Sequence, residues 1–181
     1  MKRSPLLAFI ILWIASITCT IIIFAVSFQK PTAPTGSSQE QIDTPIVAGY
    51  GWGAVHLGAT KEEVEAIIGS GDFFAQYSDI YFVDYPSMGL QISFQTSDDK
   101  INAIFFYNHQ QGSERFATFQ GETSTGISWN SSLKEVLSAY GSPILNYQGV
   151  NEGIPWVRVG FDGIDFRFEN NKMVRISVPG R

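Results

Sequence analysis

Apolar and polar positions along this chain follow two periods, and each period occurs twice. Val64, Ile67 and Ile68 recur at helical spacing, as do Val136, Ala139 and Tyr140, giving one apolar stripe per segment. A capping box precedes each stripe, Thr60-x-x-Glu63 and Ser132-x-x-Glu135, in which the hydroxyl accepts from an early backbone N–H and the carboxylate reaches back to the cap. Gly69 and Gly141, 72 residues apart, supply the stops, and Pro143 reinforces the second. The pattern predicts two helices of about two and a half turns, too short to persist in water without a sheet to lie on.

The second period is two. Leu90, Ile92 and Phe94 alternate with polar positions in "GLQISF", and Ile164, Phe166 and Phe168 do so in "GIDFRF". Polar turns at Ser97-Asp98-Asp99 and Asn170-Asn171 lead to "KINAIFFY" and "KMVRISV", while "IYFVDY" and "PWVRVGF" come before. The expected fold class is α+β: two tandem repeats, each a short helix plus a three-stranded antiparallel meander. Residues 46–107 form repeat 1, 108–124 a connector and 125–181 repeat 2. A unit of roughly 55 residues buries little surface alone, so the two copies are expected to dock.

Ahead of the repeats, Leu6–Phe28 holds no charged residue and is long enough as a helix to span roughly 30 Å of hydrocarbon. Residues 1–28 are therefore expected to be one transmembrane helix, an uncleaved membrane anchor. Lys2 and Arg3 before it place the N-terminus in the cytoplasm and the remainder outside. Cleavage near Ser27, releasing a secreted domain, is the alternative. Cys19, the sole cysteine, sits inside the apolar run and excludes an internal disulfide. Residues 29–45, rich in Pro, Thr, Ser and Gln, make a flexible linker. All seventeen acidic residues but only nine of the twelve basic ones lie beyond Lys30, a balance of −8. Such a surface is a poor partner for nucleic acid, whose binding rests on Lys and Arg neutralising phosphate.

The order of short lead strand ("GAVHLG", "TGISWN"), capped helix ending in glycine, and hairpin with an aromatic start resembles the tandem repeat of β-lactamase-inhibitor proteins. It also resembles the related unit of SmpA/OmlA-type outer-membrane lipoproteins, over about Val47 to Pro179. The resemblance implies an exported α+β domain that binds protein through an open sheet face, with no catalytic residues to carry over. Asn130, where the first copy has Gly58, departs from the pattern.

Chemistry-bearing residues are sparse. His56 and His109 sit in different segments without a second ligand at metal spacing, and no phosphate-binding or dinucleotide glycine loop occurs. No metal or cofactor is expected. Asp98 and Asp99 suit a turn, and Ser132 of the Asn130-Ser131-Ser132 sequon is already assigned to a cap. Alternation instead places Phe82, Phe105, Tyr107, Trp156 and Arg158 on the outward side of their strands, opposite Leu90, Ile92, Val157 and Val159. Such a face either packs the repeats together or meets a partner, since aromatic residues and arginine anchor interfaces. The expected function is a membrane-anchored, extracytoplasmic, non-catalytic protein-interaction module of a bacterial envelope, with an unidentified protein partner. The alternative is a small-ligand-binding protein or enzyme with a site between the repeats, using Asp84 with Arg158.

Overall fold

The computed structural model describes residues 44–109 and 115–180. Three two-residue strands open it, β1 (Ile46–Val47), β2 (Gly51–Trp52) and β3 (Val55–His56), followed by helix α1 (Lys61–Ile68). Strands β4 (Asp72–Tyr77), β5 (Ile80–Tyr85), β6 (Leu90–Gln95) and β7 (Ile101–Tyr107) come next. Helix α2 (Leu133–Tyr140) then leads into β8 (Leu145–Asn151), β9 (Ile154–Phe161), β10 (Ile164–Glu169) and β11 (Lys172–Pro179). Strands β1 to β3 form one small sheet, and the other eight form a single antiparallel sheet in the order β4-β5-β6-β7-β11-β10-β9-β8.

This architecture overturns the expected α+β class of two helix-plus-three-stranded-meander repeats. The described protein is mostly β, four strands follow each helix, and all eight belong to one sheet. The missed strands are β4 ("DFFAQY") and β8 ("LNYQGVN"). Both are edge strands with largely exposed side chains, so neither carries the alternating burial that marks a strand in sequence. The lead segment "TGISWN" forms no strand; Trp129 Nε1 there donates to the Phe119 carbonyl at 2.8 Å. No helix among the described residues is long and apolar enough to cross a membrane. The expected anchor at 1–28 and the linker up to residue 43 lie outside the described residues.

One face of the large sheet carries the core. Leu90, Ile92, Phe94, Ile104 and Phe106 from one half continue into Ile176, Val178, Phe166, Phe168, Ile164 and Val159 from the other. Above them lie Ile46, Trp52 and Val55 of the small sheet, Phe119 and Ile127 of the connecting chain, and one fully buried residue from each helix, Val64 and Val136. The β1–β2 hairpin is clamped onto the β9–β10 turn: Gly49 N–H donates to the Gly163 carbonyl at 2.8 Å. Gly163 has φ +76°, and a Cβ there would strike the Gly49 backbone, so only glycine fits.

Both helices begin as the hydroxyl–glutamate spacing requires. Thr60 N–H donates to Glu63 Oε2 at 2.8 Å and Ser132 N–H to Glu135 Oε2 at 2.7 Å, while each hydroxyl accepts from the Glu63 or Glu135 N–H at 3.3 Å. The backbone N–H of Thr60, then its hydroxyl, holds the Glu63 carboxyl below the usual carboxylate range, and Ser132 does the same to Glu135.

Two outcomes follow from this packing. Ile176→Ala, at the junction of the halves, is expected to cost about 2–5 kcal/mol in urea unfolding, with both halves lost in one transition. The two capping carboxylates have folded pKa values below their unfolded ones. Their contribution is therefore present above the unfolded glutamate pKa and is lost as pH falls through the folded value. Acid titration of thermal stability should show this loss, and the double variant Glu63→Gln, Glu135→Gln should flatten it.

Candidate functional site

The opposite face of the eight-stranded sheet is covered by no described helix. Register places five of its residues in one line across the strands: Tyr107 on β7 opposes Arg175 on β11, Arg175 opposes Arg167 on β10, Arg167 opposes Arg158 on β9, and Arg158 opposes Tyr147 on β8. Directly opposed side chains in an antiparallel pair sit about 5 Å apart at Cβ, and like charges so placed repel. Three neighbouring arginines are thus a local cost that packing did not require.

Two carboxylates offset part of it. Arg158 pairs with Asp165, one residue row to one side, and Arg167 pairs with Glu169, on the other side, at 2.9 Å. Arg175 makes no ion pair among the described residues. Its guanidinium stands against the Tyr107 hydroxyl and over the Phe105 ring, 5.5 Å from the centroid, while Arg167 lies 5.3 Å from the Trp156 ring centroid. Burial, followed among the lowering influences by the charges of Arg167 and Arg158, draws the Arg175 pKa below its ordinary value. The Nε–H groups of Arg158 and Arg175 are buried without a hydrogen-bond acceptor among the described residues.

From Arg175 a chain of polar contacts runs across the other half of the sheet. The Tyr107 hydroxyl donates to Gln91 Oε1 at 3.0 Å, and Gln91 Nε2 donates to Asp84 Oδ1 at 2.7 Å. Asp84 is fully buried and its second oxygen is met by Arg115 from the connecting segment. The same segment lays Phe116 flat on Tyr107, centroids 4.4 Å apart, and Arg115 on the Phe74 ring at 4.1 Å. Arg115 and Phe116, within the connector expected over 108–124, thus contribute directly to this face.

All five outward residues expected from alternation, Phe82, Phe105, Tyr107, Trp156 and Arg158, lie on this face and are half-buried. Phe82 and Phe105 are in ring contact at 6.2 Å, and Trp156 opposes Glu169. The halves do not meet through these aromatics; they meet edge to edge through β7 and β11. Asp84 and Arg158 are not brought together: β6, β7, β11 and β10 stand between them, roughly 24 Å at ~4.8 Å per strand. Strict alternation fails at Val174. A bulge after Arg167 gives the inward position to Met173 and leaves Val174 beside Tyr107 and Arg175 on the lining of a cleft of ≈ 330 Å³, with Asn151, Arg167 and Glu169.

Arg158, Arg167 and Arg175 sit on three consecutive strands, and alternation alone does not say which residues of neighbouring strands stand opposite one another. Only the register of β9, β10 and β11 aligns them. His56 and His109 are occupied structurally, with Nδ1 against the Leu57 carbonyl at 3.0 Å and the Phe116 carbonyl at 2.8 Å. Among the described residues no three His, Cys, Asp or Glu side chains converge as a metal-ligand set.

No protein-family model matches the chain, and no curated protein matches it. Among solved structures it is similar to a DUF4309 family protein (YjgB) from Bacillus subtilis, at 11% sequence identity and a TM-score of 0.46, over 74% of this chain and 88% of that one.

The Asp84–Arg115 pair generates a test. Arg115→Ala leaves a buried carboxylate with one neutral donor and is expected to destabilise by about 3–5 kcal/mol in urea unfolding. Adding Asp84→Asn should recover most of that loss, because the charge left unpaired is removed.

Proposed function

We propose that this chain is an extracytoplasmic protein-recognition module that works by surface complementarity, without bond-making chemistry, through the helix-free face of its eight-stranded sheet. The carrying observation is the line Tyr107, Arg175, Arg167, Arg158, Tyr147, in which three like charges are held opposite one another against their mutual repulsion. Arginine and large aromatics are the residues that anchor protein interfaces, and here they alternate over one surface. Among the described residues both ends of that surface are sheet edges without a further strand, and each carries an exposed tyrosine on this face, Tyr77 on β4 and Tyr147 on β8. An unpaired edge of this kind can accept a partner's strand.

The uncharged run Leu6–Phe28 supports export, with the domain on the outer side of the cytoplasmic membrane or released after cleavage near Ser27. A second reading, a receptor for a small anion, is favoured by the cleft beside Arg175 and Glu169.

Photocrosslinking side chains at Tyr77 and Tyr147, the two ends of the face, should capture the same partner in intact cells. One at Lys134 on α2, on the covered side, should capture none. Equal capture from all three positions would sink the proposal.

A further inference from the structure

We propose that Arg175, with Tyr107 and Arg167 beside it, is a binding site for a single carboxylate, presented by an acidic side chain of a peptide lying across the strands. This rests on the recognition reading above and specifies what the surface recognises.

Charge balance chooses the ligand. Three guanidinium groups stand in register, and two carboxylates, Asp165 and Glu169, are paired with two of them. One positive charge remains, on the arginine that has no acidic partner among the described residues. It is also the arginine set between an aromatic ring and a tyrosine hydroxyl. A guanidinium held half out of water, with its fork oriented by packing, binds carboxylate more tightly than a solvated one.

Shape and sign narrow the choice further. The cleft of ≈ 330 Å³ takes a carboxylate and its short stem, with the Val174 side chain for the stem and the Asn151 amide at the rim. Glu169 also lines it and repels a second negative charge, which favours a monoanion over a phosphate dianion. The exterior part of the chain, at −8, repels polyanions such as nucleic acid and anionic membrane, leaving a locally positive point suited to an isolated acid. The open sheet around the cleft leaves room for the rest of an extended chain to pass over Trp156 and Tyr147.

The test uses the full chain in a non-ionic detergent. Probes are propionate, propionamide, inorganic phosphate, and two pentapeptides that differ only in a central glutamate or glutamine. Propionate should shift the Arg175 Nε–Hε signal in ¹⁵N-resolved spectra and propionamide should not. The glutamate peptide should bind about tenfold or more tightly than the glutamine one. Arg175→Gln should erase that preference, and Arg175→Lys should keep part of it. Glu169→Gln should tighten propionate binding and improve phosphate relative to it, an effect opposite in sign to that of simple damage. Equal affinity for the two peptides, or phosphate outcompeting propionate in the unaltered chain, would overturn the carboxylate site. If propionate leaves Arg175 unmoved while Tyr77 and Tyr147 still capture their partner, the site falls and the recognition reading stands. If propionate binds as described while capture at Lys134 equals that on the face, the site stands and the recognition reading falls.

Discussion

Pairing of β7 with β11 is the constraint on which the rest of the structure depends. Those two strands exchange backbone hydrogen bonds from Ala103 to Tyr107 against Pro179 to Arg175, and Ile104 and Phe106 thereby stand beside Val178 and Ile176. Each four-stranded half would otherwise present a long unpaired edge of apolar residues to water. Joined, they share one core face, and helices of eight residues are enough to cover it because the small sheet and the Phe119–Ile127 segment cover the remainder.

Closing that seam decides what the opposite face looks like. It sets Tyr107 beside Arg175 and so connects two polar systems that belong to different halves: the buried Asp84–Gln91 pair on one side and the braced arginines on the other. A buried carboxylate needs a counter-charge, which Arg115 brings from the connecting segment. The arginine row has no such complete answer. Two of its three charges are balanced within the fold, and the third is left at the edge of a cleft.

Such an imbalance is informative because folding alone gives no reason to keep it. A threonine or valine at Arg175 would pair equally well with Tyr107 and Arg167 in the ladder and would lower the repulsion. The aromatic rings of Phe105 and Trp156 beneath the guanidinium groups hold them extended over the sheet, which is how recognition surfaces keep arginine oriented before a partner arrives.

Local rules were legible in the amino-acid order alone. Thr60, Glu63 and Gly69, with Ser132, Glu135 and Gly141, determined where both helices start and stop, since a cap is an interaction over three residues. Alternation in "GLQISF" and "GIDFRF" determined which side chains enter the core, since the pleat has a period of two. It assigned Phe82, Phe105, Tyr107, Trp156 and Arg158 to the outward side of their strands. Edge strands β4 and β8 escaped notice, because a strand with one neighbour and solvent on the other flank need not alternate. A bulge such as the one beside Val174 shifts the period by one without any mark in composition. The single eight-stranded sheet, the alignment of Arg158, Arg167 and Arg175, and the separation of Asp84 from Arg158 were decided by tertiary structure only. The first and the last depend on the pairing of β7 with β11, which are distant in the chain, and the arginine alignment on the exact register of three consecutive strands with a bulge among them. These are set by the summed packing of the whole core and by no short stretch within it.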